Sequence, residues 1–180
     1  EGTNFTDSLL VGHSTTGTLS AAQRNTGIGI DALDALTSGD DNTALGFNAL
    51  TAQTTQTKNT AVGAYAQSAA NNGNNVSVGY TAMKDGTGAS NVGIGYAALE
   101  NVTGNYNIGI GYQSGDNIGS GDGNVVIGKA DVSSATGNDQ LSISDGEDGS
   151  VVWMTGDSDG TVSANGGELT TTGKAFVMGF

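Results

Sequence analysis

The chain repeats itself in phase, and that property limits its fold more than any other. Alignment on the glycine that follows an aliphatic residue gives Gly12, Gly29, Gly46, Gly63, Gly79, Gly95, Gly111 and Gly128. The steps between them are 17, 17, 17, 16, 16, 16 and 17 residues. Four positions earlier stand Asn25, Asn42, Asn59, Asn75, Asn91, Asn107 and Asn124, with Ser8 in the first copy. Three positions later come Ala32, Ala49, Ala66, Ala82 and Ala98, and Leu33, Leu50, Met83 and Leu99 follow in four of these copies. A fixed period of this kind marks a stacked architecture, in which each coil offers its neighbour the same surface.

Composition alone would point elsewhere. A net charge of −13 with 31 glycines and no proline lies near the border where chains stay disordered. A flexible linker keeps no register, however, and eight copies in phase overrule that hint. A coil of 16 or 17 residues is too short for leucine-rich or helix-pair repeats and suits one turn of a narrow parallel β-roll, or β-solenoid. The expected fold is therefore all-β, with about eight coils at a spacing of about 4.8 Å, a rod of roughly 38 Å.

Within "NVGIGY" the period of two places Val92, Ile94 and Tyr96 on one face and Gly93 and Gly95 on the other. The aliphatic residues are expected to stack into the core. The Gly/Ala face is expected to meet identical chains closely, which leads to a homotrimer. Stacked asparagines are expected to pass side-chain amides from coil to coil. The recurrent glycine has two available reasons, a positive φ or close approach of another backbone. The Asn–Gly register ends near Gly128–Val132, so the predicted division is a roll over 1–137 and a C-terminal β segment over 138–180. In that segment "QLSIS" and "SVVWM" are expected as antiparallel strands, exchanged between chains as a cap or opening the next fibre element, with Trp153 as a packing anchor.

Chemistry-bearing residues are sparse. Five basic residues against eighteen acidic ones exclude nucleic acid and make an anionic membrane surface unattractive. No apolar run is long enough for membrane insertion, and neither an initiator Met nor a signal peptide stands at the start. The closing "FVMGF" reads as a β-strand packed under the trimer. Without cysteine there is no disulfide frame and no thiolate metal site. "GIGYQSG" lacks dinucleotide-loop spacing and belongs to the repeat. His13, the sole histidine, takes the slot that Tyr80, Tyr96 and Tyr112 fill elsewhere, and so reads as a variant ladder residue. The acidic groups Asp145/Glu147/Asp148 and Asp157/Asp159 fall in Gly-rich turns; glycosidase or Ca²⁺ roles want spacings and an aromatic groove that are missing. No enzyme activity, catalytic residue, metal or other cofactor is expected. Thr26, Thr43 and Thr60 stack as in an ice-binding solenoid, but Val76, Val92, Ile108 and Val125 break that ladder.

The units "NTALGFNAL", "NTAVGAYAQ" and "NVGIGYAAL" resemble the repeats of phage tail-fibre and related virion-fibre proteins. More distantly they look like the head repeats of YadA-type trimeric autotransporter adhesins. The resemblance covers about residues 4–137, and the remaining stretch is similar to segments that follow such repeats in phage fibres. It implies a homotrimeric left-handed β-roll displayed on a virion surface or extracellularly. The implied partners are its own copies, other virion proteins and a host surface glycan or protein. Autotransporter heads use a shorter coil, and this chain carries no stalk, membrane anchor or chaperone domain, which favours the phage reading and suggests a piece of something longer. The adhesin head fragment is the alternative and the ice-binding solenoid a remote one. No receptor residue carries over, and a passive spacer and a host-attachment role both remain open.

Overall fold

The computed structural model describes residues 5–12, 21–69, 72–164 and 167–169. A short strand recurs once per coil: β2 (Leu9–Val11), β4 (Thr26–Ile28), β5 (Thr43–Leu45), β6 (Thr60–Val62), β7 (Val76–Val78), β8 (Val92–Ile94), β9 (Ile108–Ile110), β10 (Val125–Ile127) and β11 (Leu141–Ser144). These pair in parallel, each with the next, so that Thr26 lies beside Thr43, Val92 beside Ile108 and Ile127 beside Ile143. Strands β1 (Phe5–Thr6) and β3 (Ala22–Gln23) form a second parallel pair. The parallel β-solenoid of about eight coils expected from the period is what the chain forms.

The parallel ladder runs on through β11, so the expected boundary at 137/138 falls inside a coil. Gln140 is the reason. It takes the asparagine position, its backbone N–H donating to Asn124 Oδ1 at 2.9 Å, and its own amide reaches Gly137 O. The direction then reverses. β12 (Val152–Gly156), β13 (Val162–Ala164) and β14 (Gly167–Leu169) add to the same sheet as antiparallel strands.

Which face points inward is the reverse of the sequence expectation. The middle residue of each repeat strand (Gly27, Ala44, Ala61, Ser77, Gly93, Gly109 and Val126) is buried, whereas the residues on either side face outward. The core is built instead from Leu33, Leu36, Leu50, Met83, Leu99, Val102 and Ile118 behind the sheet, with the alanine column. A coil this short encloses a narrow interior, and Leu or Met from one wall leaves space for little on the other. A Cβ on Gly93 would lie 2.9 Å from Met83 Cγ, and one on Gly109 would lie 2.7 Å from Leu99 Cγ. The small residues therefore serve intrachain packing, and the aliphatic column is left outside.

The recurrent glycines satisfy both of their possible reasons at once. Gly29, Gly46, Gly63, Gly79, Gly95 and Gly111 have φ between +135° and +143°. A Cβ on Gly95 would also collide with the backbone of Gly111, approaching its carbonyl carbon to 2.6 Å. The approaching backbone is the next coil of the same chain.

Beyond each glycine the chain turns in an unexpected way. Residues two and four positions on have positive φ although they are not glycine: Asp31 and Leu33, Asn48 and Leu50, Thr81 and Met83, Ala97 and Leu99. Nineteen non-glycine residues among those described adopt this conformation, at a local cost on the order of 1–2 kcal/mol each. Bonding between coils holds them there. Ala97 N–H donates to Tyr80 O on one side, and Leu99 N–H donates to Ser114 O on the other. The turn is thus hydrogen-bonded to both neighbours much as a strand would be.

Candidate interaction face

The asparagine ladder aligns the sheet, though with different bonds from those expected. Each side-chain oxygen accepts the backbone N–H of the asparagine one coil on: Asn42 to Asn25 (2.9 Å), Asn91 to Asn75 (2.8 Å), Asn107 to Asn91 (2.7 Å). Asn59, Asn75 and Asn124 repeat the pattern, and Ser8 Oγ serves Asn25. The amide nitrogen mainly donates to the next coil, to the carbonyl three residues before its asparagine, as from Asn91 to Gly104 O (2.9 Å) and from Asn107 to Gly121 O (2.9 Å). Nδ2-to-Oδ1 contacts of the expected kind occur at Asn42–Asn25 and Asn124–Asn107. With its backbone so fixed, each strand repeats its outward residues at one spacing.

Three outward columns result. The first holds Thr26, Thr43, Thr60, Val76, Val92, Ile108 and Val125. The second holds Val11, Ile28, Leu45, Val62, Val78, Ile94, Ile110, Ile127 and Ile143, of which Val11, Ile28, Leu45, Ile94, Ile110 and Ile127 are 37–49% exposed. The third follows the glycine and is largely aromatic: Phe47, Tyr80, Tyr96 and Tyr112, all exposed. Tyr80 and Tyr96 stack with ring centres 5.7 Å apart, and Tyr96 and Tyr112 at 4.9 Å. Ala64 interrupts the column by sequence, but Tyr65, one place further on, fills the gap with edge contacts to Phe47 at 5.2 Å and Tyr80 at 6.0 Å. Lys129 closes the row over Tyr112, its Nζ 5.1 Å from the ring centre. The face is about 38 Å long and about 13 Å wide, on the order of 500 Å² before side-chain relief is counted. The largest apolar patch of an ordinary monomer is about 300–600 Å². The only charge on this face among the described residues of the three columns is Lys129 at the end: strands β4 to β11 contain no ionisable side chain in a protein with eighteen acidic residues.

The acidic turns are occupied by local bonding. Asp145 Oδ1 accepts the N–H groups of Glu147, Asp148 and Gly149, and Oδ2 accepts that of Val151 at 2.7 Å. These donors, Val151 foremost, hold its carboxyl at about 2. Thr161 N–H reaches both Asp157 and Asp159. The hydrogen bond between the two carboxyls raises Asp157, while Thr161 and then Asp157 lower Asp159. Asp116 is raised by burial and then by Asp131 beside it. Among the described residues no group of three His, Cys, Asp or Glu is placed to hold a metal. Trp153, expected as a packing anchor, is 53% exposed with Val151 and Val152 around it. On β12 it points opposite to Met154, which pairs with Ile143 and prolongs the outward column. His13 and "FVMGF" lie outside the described residues.

Comparison with protein-family models, with curated proteins and with solved structures returns no match to this chain. Sequence reasoning found the residues of this face and assigned them to the interior. The signal that could have corrected it is the aromatic column, because Phe and Tyr rings at successive coils are too large for so narrow a coil.

Proposed function

We propose that this chain is a structural segment of a trimeric virion fibre, such as a phage tail fibre, acting as a spacer or in host attachment at the virion surface. The observation that carries the reading is the aliphatic and aromatic face along the roll, free of charge up to Lys129 at its end. A column repeated at one spacing is complementary to a copy of itself lying parallel, coil against coil. Three copies around an axis along the rod bury three such faces together and leave the charged turns in water. The three-fold order rests on the resemblance of the repeats; the need for a partner rests on the exposed face. The earlier assignment of the Gly/Ala face to chain contact is replaced by this outward one. The acidic turns, spent on their own backbone, support a structural part rather than a chemical one.

Sedimentation at low micromolar concentration tests the reading, with Ile94→Asp/Ile110→Asp as the comparison. The expected result is a trimer for the native chain and loss of association for the variant. A native chain that is folded and monomeric would refute the proposal.

A further inference from the structure

The interior of the roll is divided. One buried cluster spans Ala22 to Ala66 and includes Leu33, Leu36 and Leu50, while a second spans Met83 to Val132. In the last two coils of the first cluster both interior columns turn polar, at adjacent levels. Gln53 takes the position of Leu36, Val102 and Ile118, seven places after the recurrent glycine. Gln67 takes that of Leu33, Leu50, Met83 and Leu99, four places after it. Both glutamines are fully buried, and so is Ser77, the inward residue of the next strand.

Their bonds are incomplete in a specific way. Gln53 Nε2 donates to Ala69 O at 2.8 Å, which fixes the orientation of that amide, and its Oε1 has no protein partner. Gln67 Oε1 lies 3.5 Å from Ser77 Oγ, whose single proton is shared with Thr60 O at 3.3 Å, and its Nε2 has no protein partner. Asn59, in the same coil as Gln67, also lacks a partner for Nδ2. The equivalent atom of Asn75 or Asn91 reaches a carbonyl thirteen residues on. For Asn59 that carbonyl belongs to Asn72, and it accepts Nδ2 of Asn75 instead, at 2.8 Å. Three buried orphan atoms thus fall on two adjacent coils, where the period shortens from 17 to 16 residues.

We infer that this region is an internal hydration site, where ordered water joins Gln53 and Gln67. Water suits the pair because it accepts from Gln67 Nε2 and donates to Gln53 Oε1 in one molecule. Turning the Gln67 amide does not remove the need. Two acceptors would then be unpaired in place of an acceptor and a donor, and a water donating twice still serves both. An apolar guest would leave both atoms unpaired, and a cation would be repelled by the free N–H groups.

A crystal structure of the native chain at a resolution that shows solvent gives the direct test. Density is expected within hydrogen-bond distance of both Gln53 Oε1 and Gln67 Nε2. A dry site, or the two amides bonded directly to each other, would overturn the inference. Melting temperatures of Gln53→Leu, Gln67→Leu and the double variant give the second test. Each single change leaves the other glutamine facing an apolar wall, whereas the double change joins the two apolar clusters. The double variant should therefore melt several degrees above the value obtained by adding the single effects. Additive shifts would count against a shared water.

Discussion

Replacing Gly95 by alanine adds one methyl group at a point of close contact between two coils. The structure gives that methyl two costs. The backbone at φ +135° is one that L-residues rarely adopt, and holding a side chain there costs about 1–3 kcal/mol. The methyl also points at the Gly111 peptide, with the carbonyl carbon at 2.6 Å; forcing apart a dense contact of this type costs a further ~1–3 kcal/mol. Neither atom belongs to a flexible side chain, so the coils themselves must separate, and the hydrogen bond from Gly111 N–H to Ile94 O (2.8 Å) is stretched with them. A loss of about 2–6 kcal/mol per chain follows, a large part of a total stability of about 5–15 kcal/mol. Gly146→Ala is the control, because a Cβ there meets nothing within 4 Å. Denaturant melts of both variants beside the native chain, with sedimentation to record association, give the comparison. If Gly95→Ala falls within about 0.5 kcal/mol of Gly146→Ala, the level of an ordinary surface change, the account of coil contact is wrong.

Three further outcomes are expected. Asn91→Ala removes the acceptor of Asn107 N–H and the donor to Gly104 O in a fully buried setting; each group left bare costs about 1–3 kcal/mol, and exchange of the Asn107 amide hydrogen should quicken. Asp145, held at about 2 against an ordinary 3.8, stabilises the fold above about pH 4 and loses that contribution as pH falls towards 2, so Asp145→Asn should flatten the acid limb of the stability curve. Asp116 is raised and has the opposite sign: its charged form costs stability above its titration, so Asp116→Asn should stabilise the chain at neutral pH. Melts across pH 2–7 with both variants check the two signs together.

The period, the asparagine and glycine columns and the parallel stacking were all legible in the sequence, because stacking forces identical residues to identical places. Sidedness was not. Alternation separates Ile94 from Gly93 without saying which one looks inward, and the usual assumption that aliphatic residues are buried fails when the coil is too thin to hold them. The positive φ of Leu33, Leu50 and Leu99 was hidden as well, since nothing in a leucine announces a conformation imposed by neighbours above and below. Gln140 concealed the last coil by standing where asparagine was expected. Tyr65 did the reverse, restoring by position a column that the sequence register broke at Ala64.

The asparagine bonds carry one more consequence. From Asn25 to Asn124 each coil presents an Asn oxygen on one side and an Asn N–H on the other, so the two sides of any of these coils are complementary to those of any other. Length is therefore quantised. Duplicating residues 75–90 should extend the rod by one strand spacing, about 4.8 Å, and deleting them should shorten it by the same step while neighbouring contacts re-form. Such a chain works as a ruler graduated in coils, and its reach can be changed by unequal copying of a single short stretch without redesigning any of the others.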